Sequence, residues 1–217
     1  DVCHAHDFNT LPIGYAMACR THGKLVYDSH ELFLESGHYA QIGGWRKLLM
    51  TVVEGFLTKR ATAVITVNES IAGELARRYG IPKPTVVMNC CELTSVAPGN
   101  GLLREKAGLP LGKRIVLYQG VFANGRGLPE LVSSTRYLDG RVVLVLMGYG
   151  ALGEALLNQV RGEGLQDKVR IIGPVPPDEL LAYSAGAEIG VAAIQGDTVN
   201  HYYSTPNKLF EYLMAGL

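Results

Sequence analysis

The sequence of 217 residues holds no apolar run approaching the roughly 20 residues that a membrane-spanning helix needs. No secretory leader, basic and then apolar, opens it. Cysteine is sparse: Cys3, Cys19, Cys90 and Cys91 have no C-x-x-C spacing, and the last two are adjacent. That argues against a disulfide framework or a cysteine-built zinc site and for a reducing cytoplasm. Charge of one sign is lacking too, since 20 basic and 20 acidic residues cancel. Bulk charge therefore gives no reason to expect nucleic acid as a partner. No internal repeat or low-complexity tract interrupts the chain.

An apolar content of 47% is ample for buried cores, and the length suits one or two domains. Short runs rich in Val and Ile alternate with amphipathic segments of helix length. Strands are expected at 24–27, 62–66, 85–88, 114–119, 142–147, 169–172 and 189–193, and residues 1–4 read as the tail of another. Helices are expected at about 11–22, 45–59, 70–79, 128–138, 152–162 and 178–184. Alternating βα units imply parallel sheets covered by helices, the α/β class. Turn residues crowd between Leu93 and Gly112 around Pro98-Gly-Asn-Gly101, which suits a linker. Two doubly wound, Rossmann-like domains follow, 1–95 and 96–217, with ligands expected at the carboxyl ends of strands.

The most informative stretch is Tyr203-Ser-Thr-Pro-Asn-Lys-Leu-Phe-Glu-Tyr-Leu-Met-Ala-Gly-Leu217. Ser204 or Thr205 suits an N-cap, Pro206 the first helical position, and Gly216 the C-terminal stop. Leu209, Phe210, Leu213 and Met214 form a helical apolar stripe. The helix start is a ready anion site, and Lys208 adds a full positive charge one turn in. Glu211 could accept two hydroxyls of a ribose. Diphosphate at the cap and sugar at the carboxylate fit a nucleotide-sugar.

Ser204-Thr-Pro-Asn-Lys-Leu-Phe-Glu-Tyr-Leu-Met-Ala-Gly216 resembles the nucleotide-binding segment of retaining GT-B glycosyltransferases of family four. In that family a Glu-x7-Glu motif spans the segment. Glu211 matches the second Glu, which holds the donor ribose, and Tyr203 stands where the first would be. The resemblance covers essentially the whole chain and implies the middle of a larger enzyme, with both domains incomplete.

Other stretches fit it. Tyr118-Gln-Gly120-Val-Phe-Ala-Asn-Gly125-Arg126-Gly127 leaves the first strand of the second domain, where the family carries two cations on the diphosphate. Arg126 matches one, and Val121 replaces the other. Gly120 lets backbone approach the ligand. Around Gly173–Val175 the resemblance implies backbone against the nucleotide base, with Asp178 capping the next helix. Asp197, just before the organising segment, is the carboxylate nearest in sequence to take over from the absent first Glu. In Val26-Tyr-Asp28-Ser-His30-Glu31, His30 matches the family His that contacts the sugar near the reacting carbon. A histidine capping the next helix is the plainer reading of the same residue.

The sequence leaves some alternatives open. His4, His6 and His30, with Asp28 and Glu31 nearby, could hold a metal for hydrolysis. Met147-Gly148-Tyr-Gly150-Ala-Leu-Gly153 follows a strand as a dinucleotide fingerprint would. The acid expected about 20 residues on is absent, and the family's own G-x-G turn accounts for it better. Gly43–Arg60 is an apolar helix with basic ends. Burial in a core is favoured over contact with an anionic membrane surface. Asn68 and Asn89 end strands, Asn68 as the N-cap of a helix.

The expectation is then a metal-independent transferase. It would move a hexose-type sugar from a nucleoside diphosphate to a glycan or lipid-linked acceptor hydroxyl with retention, and require no cofactor. It would work in the cytoplasm, with peripheral contact at the inner membrane face. A GT-B nucleotide-sugar epimerase is the alternative that shares the fold.

Overall fold

The computed structural model describes residues 1–96, 99 and 101–217. Ala97, Pro98 and Asn100, in the middle of the expected linker, lie outside the described residues. The chain forms two compact units, one of residues 1–89 with 196–205, the other of residues 90–195 with 206–217. A single crossing near residue 96 was expected; the structure instead returns 196–205 to the first unit. Hydrogen bonds within that unit explain the return. The Asn200 side chain accepts from the Leu32 N–H at 2.9 Å and donates to Glu31 at 3.0 Å, while Asn68 donates to the Tyr203 carbonyl at 2.8 Å.

In the first unit the order is β1 (Val2–His6), α1 (Asp7–Thr21), β2 (Lys24–Ser29), α2 (Gly37–Ala40), α3 (Gly44–Thr58), β3 (Ala63–Thr66), α4 (Glu69–Tyr79) and β4 (Thr85–Val86). The strands make one parallel sheet in the order β1-β2-β3-β4, with His4 opposite Val26 and His6 opposite Asp28. Ala5, Leu11, Leu25, Tyr27 and Leu57 form one core; Leu32, Ile71, Leu75 and Tyr79 form another. Asn68 caps α4 as expected, accepting from the Ile71 N–H at 2.9 Å.

The second unit runs α5 (Leu102–Lys106), β5 (Arg114–Val121), α6 (Leu128–Ser134), β6 (Val142–Tyr149), α7 (Gly153–Gly162), β7 (Val169–Ile172), α8 (Leu180–Ser184) and β8 (Ile189–Gly190). Then α9 (Val199–Tyr202) belongs to the first unit and α10 (Asn207–Met214) to the second. The second parallel sheet has the order β7-β6-β5-β8. Both its faces are buried. Leu144 and Leu146 enter a core with Tyr118 and Leu156, while Val143, Val145, Ile115 and Leu117 enter the other with Leu103 and Tyr212. Near-continuous apolar runs in β5 and β6 are what such burial requires. The α/β architecture of two parallel sheets agrees with the expected fold class.

Two expectations need correction. The stretch read wholly as linker contains α5, because Leu103 and Ala107, four residues apart, bury into the second unit's core with Leu109. The favoured core burial of α3 holds for one side only, where Leu57 packs in the first unit's core with Val53 beside it. Trp45 is 70% exposed and Leu48 66%, and Leu49, Val52 and Phe56 are exposed as well. The helix turns inward its one acid, Glu54, which is 2% exposed and accepts from the hydroxyls of Tyr27 and Tyr79. Burial pushes the Glu54 carboxyl above its ordinary range, although both tyrosine hydrogen bonds pull the other way.

Candidate functional site

A cleft of about 500 Å3 opens in the second unit at the carboxyl ends of β5 and β6. Tyr118–Val121 and Met147–Tyr149 form its floor, Pro174 and Val175 after β7 one wall, and Pro206–Lys208 with Glu211 the other. Ligands of open parallel sheets bind in such a place. Glycine makes the floor possible. Gly120 and Gly148 are opposite in the β5–β6 register, with φ of 123° and 155°. A side chain on Gly148 would run into the Gly120 carbonyl, and one on Gly150 into Phe122. The G-x-G turn therefore serves strand-to-loop packing, which needs no dinucleotide to explain it.

Lys208 reaches across this floor. Its Nζ lies 3.7 Å from the centre of the Tyr118 ring, and a Cβ on Gly120 would come within 3.4 Å of it. Burial draws the Lys208 pKa down to about 8, the charge of Arg126 adds to the fall, and Glu211 opposes it. Among the described residues, neither Lys208 nor Arg126 forms a salt bridge. Two cations thus share a half-sheltered cleft without an acidic partner, beside the first turn of α10. An anion with several oxygens would relieve their mutual repulsion and accept from both.

Glu211, one turn further along α10, is held in place by a short relay. Its Oε2 accepts from Gln119 Nε2 at 2.6 Å, and Gln119 Oε1 accepts from the Ser184 hydroxyl at 2.6 Å. Among the described residues, Oε1 of Glu211 has no hydrogen-bond partner, and the residue lines the cleft. The Tyr212 hydroxyl accepts from the Gln119 N–H at 3.0 Å and faces the Leu117 and Val191 carbonyls. Its ring occupies the space that a side chain on Gly190 would need. These contacts fix the rotation of α10 and hence the aim of Lys208 and Glu211.

The structure thus gathers Gly120, Arg126, Val175, Lys208 and Glu211 around one cleft. Gly173 does not line it; the wall there is Pro174 and Val175. Ser204, Thr205 and Asp197 fold with the first unit. Neither hydroxyl caps α10, whose N-cap is Pro206 in extended conformation, with Asn207 the first helical residue. Ser204 instead donates to the His201 carbonyl at 2.8 Å, and Thr205 Oγ1 accepts from Asn68 at 3.3 Å. Asp197 pairs with His201 Nδ1 at 2.6 Å, a bond that lowers its pKa. Asp178 is not the cap of α8 either, since the N-cap position of that helix is Glu179. Sequence reasoning did not single out Gln119, Tyr118 or Tyr212 as positioning residues. A buried Gln one residue before the loop glycine was the available signal.

In the first unit, His30 follows β2 and is 40% exposed. Asp7 grips it twice, accepting from the His30 N–H at 3.0 Å and lying 3.3 Å from Nδ1. Asp7 has a φ of 57°, a conformation that costs a non-glycine residue about 1–2 kcal/mol. His4 and His6 stack with ring centres 4.4 Å apart, both near Asp28 at 3.4 and 3.5 Å. Ligand atoms of His4, His6 and Asp28 lie within 4.8 Å of one another, and His30 Nε2 lies 3.5 Å from Asp28 Oδ2, so the residues weighed for the alternative of a metal-dependent hydrolase gather around Asp28.

Residues 1–91 match the glycosyl transferase 4-like domain. A D-inositol 3-phosphate glycosyltransferase of Corynebacterium aurimucosum is 23% identical over 206 residues, covering 87% of this chain and 49% of that protein. A protein of the same name from Xylanimonas cellulosilytica is 26% identical, with the same coverage. The chain thus spans about half the length of these curated relatives. Among solved structures, Anabaena HepE in complex with UDP superposes with a TM-score of 0.79 at 19% identity, over all of this chain and 58% of that one. Sucrose-phosphate synthase from Thermosynechococcus elongatus gives 0.71 at 20% identity, over 88% of this chain and 49% of that one.

Proposed function

We propose that the chain, whose residues 1–91 match the glycosyl transferase 4-like domain, is part of a GT-B glycosyltransferase of family four, and that the whole enzyme transfers a hexose-type sugar from a nucleoside diphosphate to an acceptor hydroxyl. The transfer proceeds with retention and without a metal ion. The diphosphate lies between Lys208, Arg126 and the start of α10, and Glu211 receives the ribose hydroxyls. The base lies along Val175. Charge on the departing diphosphate is neutralised by these cations, each preorganised group contributing about 3–4 kcal/mol to the transition state. His30 keeps the role that the sequence resemblance assigns it, beside the reacting carbon. The acceptor is a glycan or a lipid-linked glycan, with the enzyme in peripheral contact with the inner membrane face.

One observation carries the donor half of this reading: two cations without an acidic partner face the same cleft as a carboxylate with a free oxygen. The HepE structures with UDP and with UDP-glucose support the choice of ligand class. The test is a thermal-shift screen of nucleoside diphosphates followed by calorimetry. Glu211→Ala is expected to weaken nucleotide binding about tenfold or more, in line with the loss of charged hydrogen bonds. In the full enzyme, Lys208→Ala lowers turnover more than binding. Normal transfer by both variants would sink the assignment.

A further inference from the structure

The exposed face of α3 is unlike the rest of the first unit's helical surface. Trp45, Leu48, Leu49, Val52 and Phe56 are between 48% and 70% exposed. At about 100° per residue they fall within a single arc of about 100°, the width of an apolar face built to be covered. Beside α3, α1 adds Ile13 at 65% and Met17 at 53% exposure, and Tyr15 meets the Phe56 ring. A contiguous apolar area of this kind marks an interaction surface.

The charges around it are of one sign. Arg46, Lys59 and Arg60 are exposed on α3 and its end, and Arg20 on α1. No exposed acidic side chain lies on either helix, for Glu54 is buried and Asp7 is engaged with His30. Arg60 lies over the Phe56 ring and Arg46 within 5.6 Å of the Trp45 ring, so cations flank the apolar stripe directly. Among the described residues, no helix is long and apolar enough to cross a membrane. An apolar stripe rimmed by cations, on a helix too short to span, matches the interface of an anionic bilayer, with apolar side chains among acyl chains and cations at phosphates.

We infer that the α1–α3 face of the first unit docks on an anionic lipid surface, with α3 lying in the interfacial plane. The inference specifies the membrane contact of the proposed function and rests on that reading for its purpose, while its evidence comes from this face alone. Trp45 is the only tryptophan of the chain, so its emission reports the face directly. The protein is titrated with vesicles of phosphatidylglycerol and phosphatidylcholine, and with phosphatidylcholine alone. A blue shift and co-sedimentation with the anionic vesicles, both reduced by salt, are expected. Leu48→Glu with Val52→Glu should cut partitioning at least tenfold, and Arg46→Glu with Arg60→Glu should do the same while sparing the apolar stripe. Both variants should keep the wild-type melting curve and the wild-type affinity for uridine diphosphate. Absence of a shift overturns the inference, as does equal binding to neutral vesicles. A shift that follows protein concentration without lipid also overturns it, because the occupant is then a second copy of the chain. Loss of uridine diphosphate binding with vesicle binding intact would count against the donor-site reading alone.

Discussion

If Lys208 meets a diphosphate, the protein must take up protons when it binds one near pH 8. The ammonium has a pKa drawn down to about 8 in the free protein, by burial and then by Arg126. A bound diphosphate restores the charge balance and raises that pKa, so only the protonated form binds well. The group is about 90% protonated at pH 7 and about 10% at pH 9, so affinity should fall about tenfold between them, or about 1.4 kcal/mol. The diphosphate contributes nothing to this slope, since its last ionisation falls near pH 6, below the window. Burial raises the Tyr118 and Tyr212 hydroxyls above their usual range, so neither of them ionises in this window. Calorimetry with uridine diphosphate in two buffers of different ionisation enthalpy would show uptake of about half a proton at pH 8. Lys208→Met should weaken binding at pH 7 and flatten the profile. A flat wild-type profile, or an equal slope in Lys208→Met, would refute the placement of an anion beside this ammonium.

Three further outcomes follow from the packing. Gln119→Ala leaves Glu211 and Ser184 without their bridging amide, so nucleotide affinity should drop about threefold to tenfold with the fold retained; unchanged affinity would mean that Glu211 needs no positioning. Gly148→Ala puts a methyl group against the Gly120 carbonyl at a φ of 155°, and should cost about 2–3 kcal/mol in urea unfolding, against a near-neutral outcome if the two strands can part. Glu54 has a carboxyl pKa raised by burial, so its neutral form stabilises the fold below the unfolded pKa and this contribution is lost as pH rises through the folded one. Glu54→Gln should therefore gain on the wild type by on the order of 1 kcal/mol between pH 4 and pH 8, and parallel stability curves would contradict that.

Much of the fold was legible in the residue order because buried parallel strands must be apolar almost without a break. Val169–Ile172 falls where its Val and Ile place it, and β5 and β6 each run only two residues beyond the expected end. The added residues include Gly120 and Gly148, whose lack of a side chain lets the strands continue together. Lys208 and Glu211 were legible for a similar reason: three residues apart on a helix, they must share a face, whatever surrounds it.

Partnership was not legible. Periodicity marks an apolar stripe on α3 without saying what covers it, and only the tertiary fold shows Glu54 turned inward to two tyrosine hydroxyls and Trp45 turned out. The same holds for Ser204 and Thr205, which suit a helix cap by residue type yet are drawn to His201 and Asn68 in the first unit. Local sequence sets which side chains can share one face of an element, since that depends on backbone period alone. Which faces meet depends on contacts between residues far apart in the chain, such as Gln119 with Glu211 or Asn200 with Leu32. Those are decided when the sheets and helices pack.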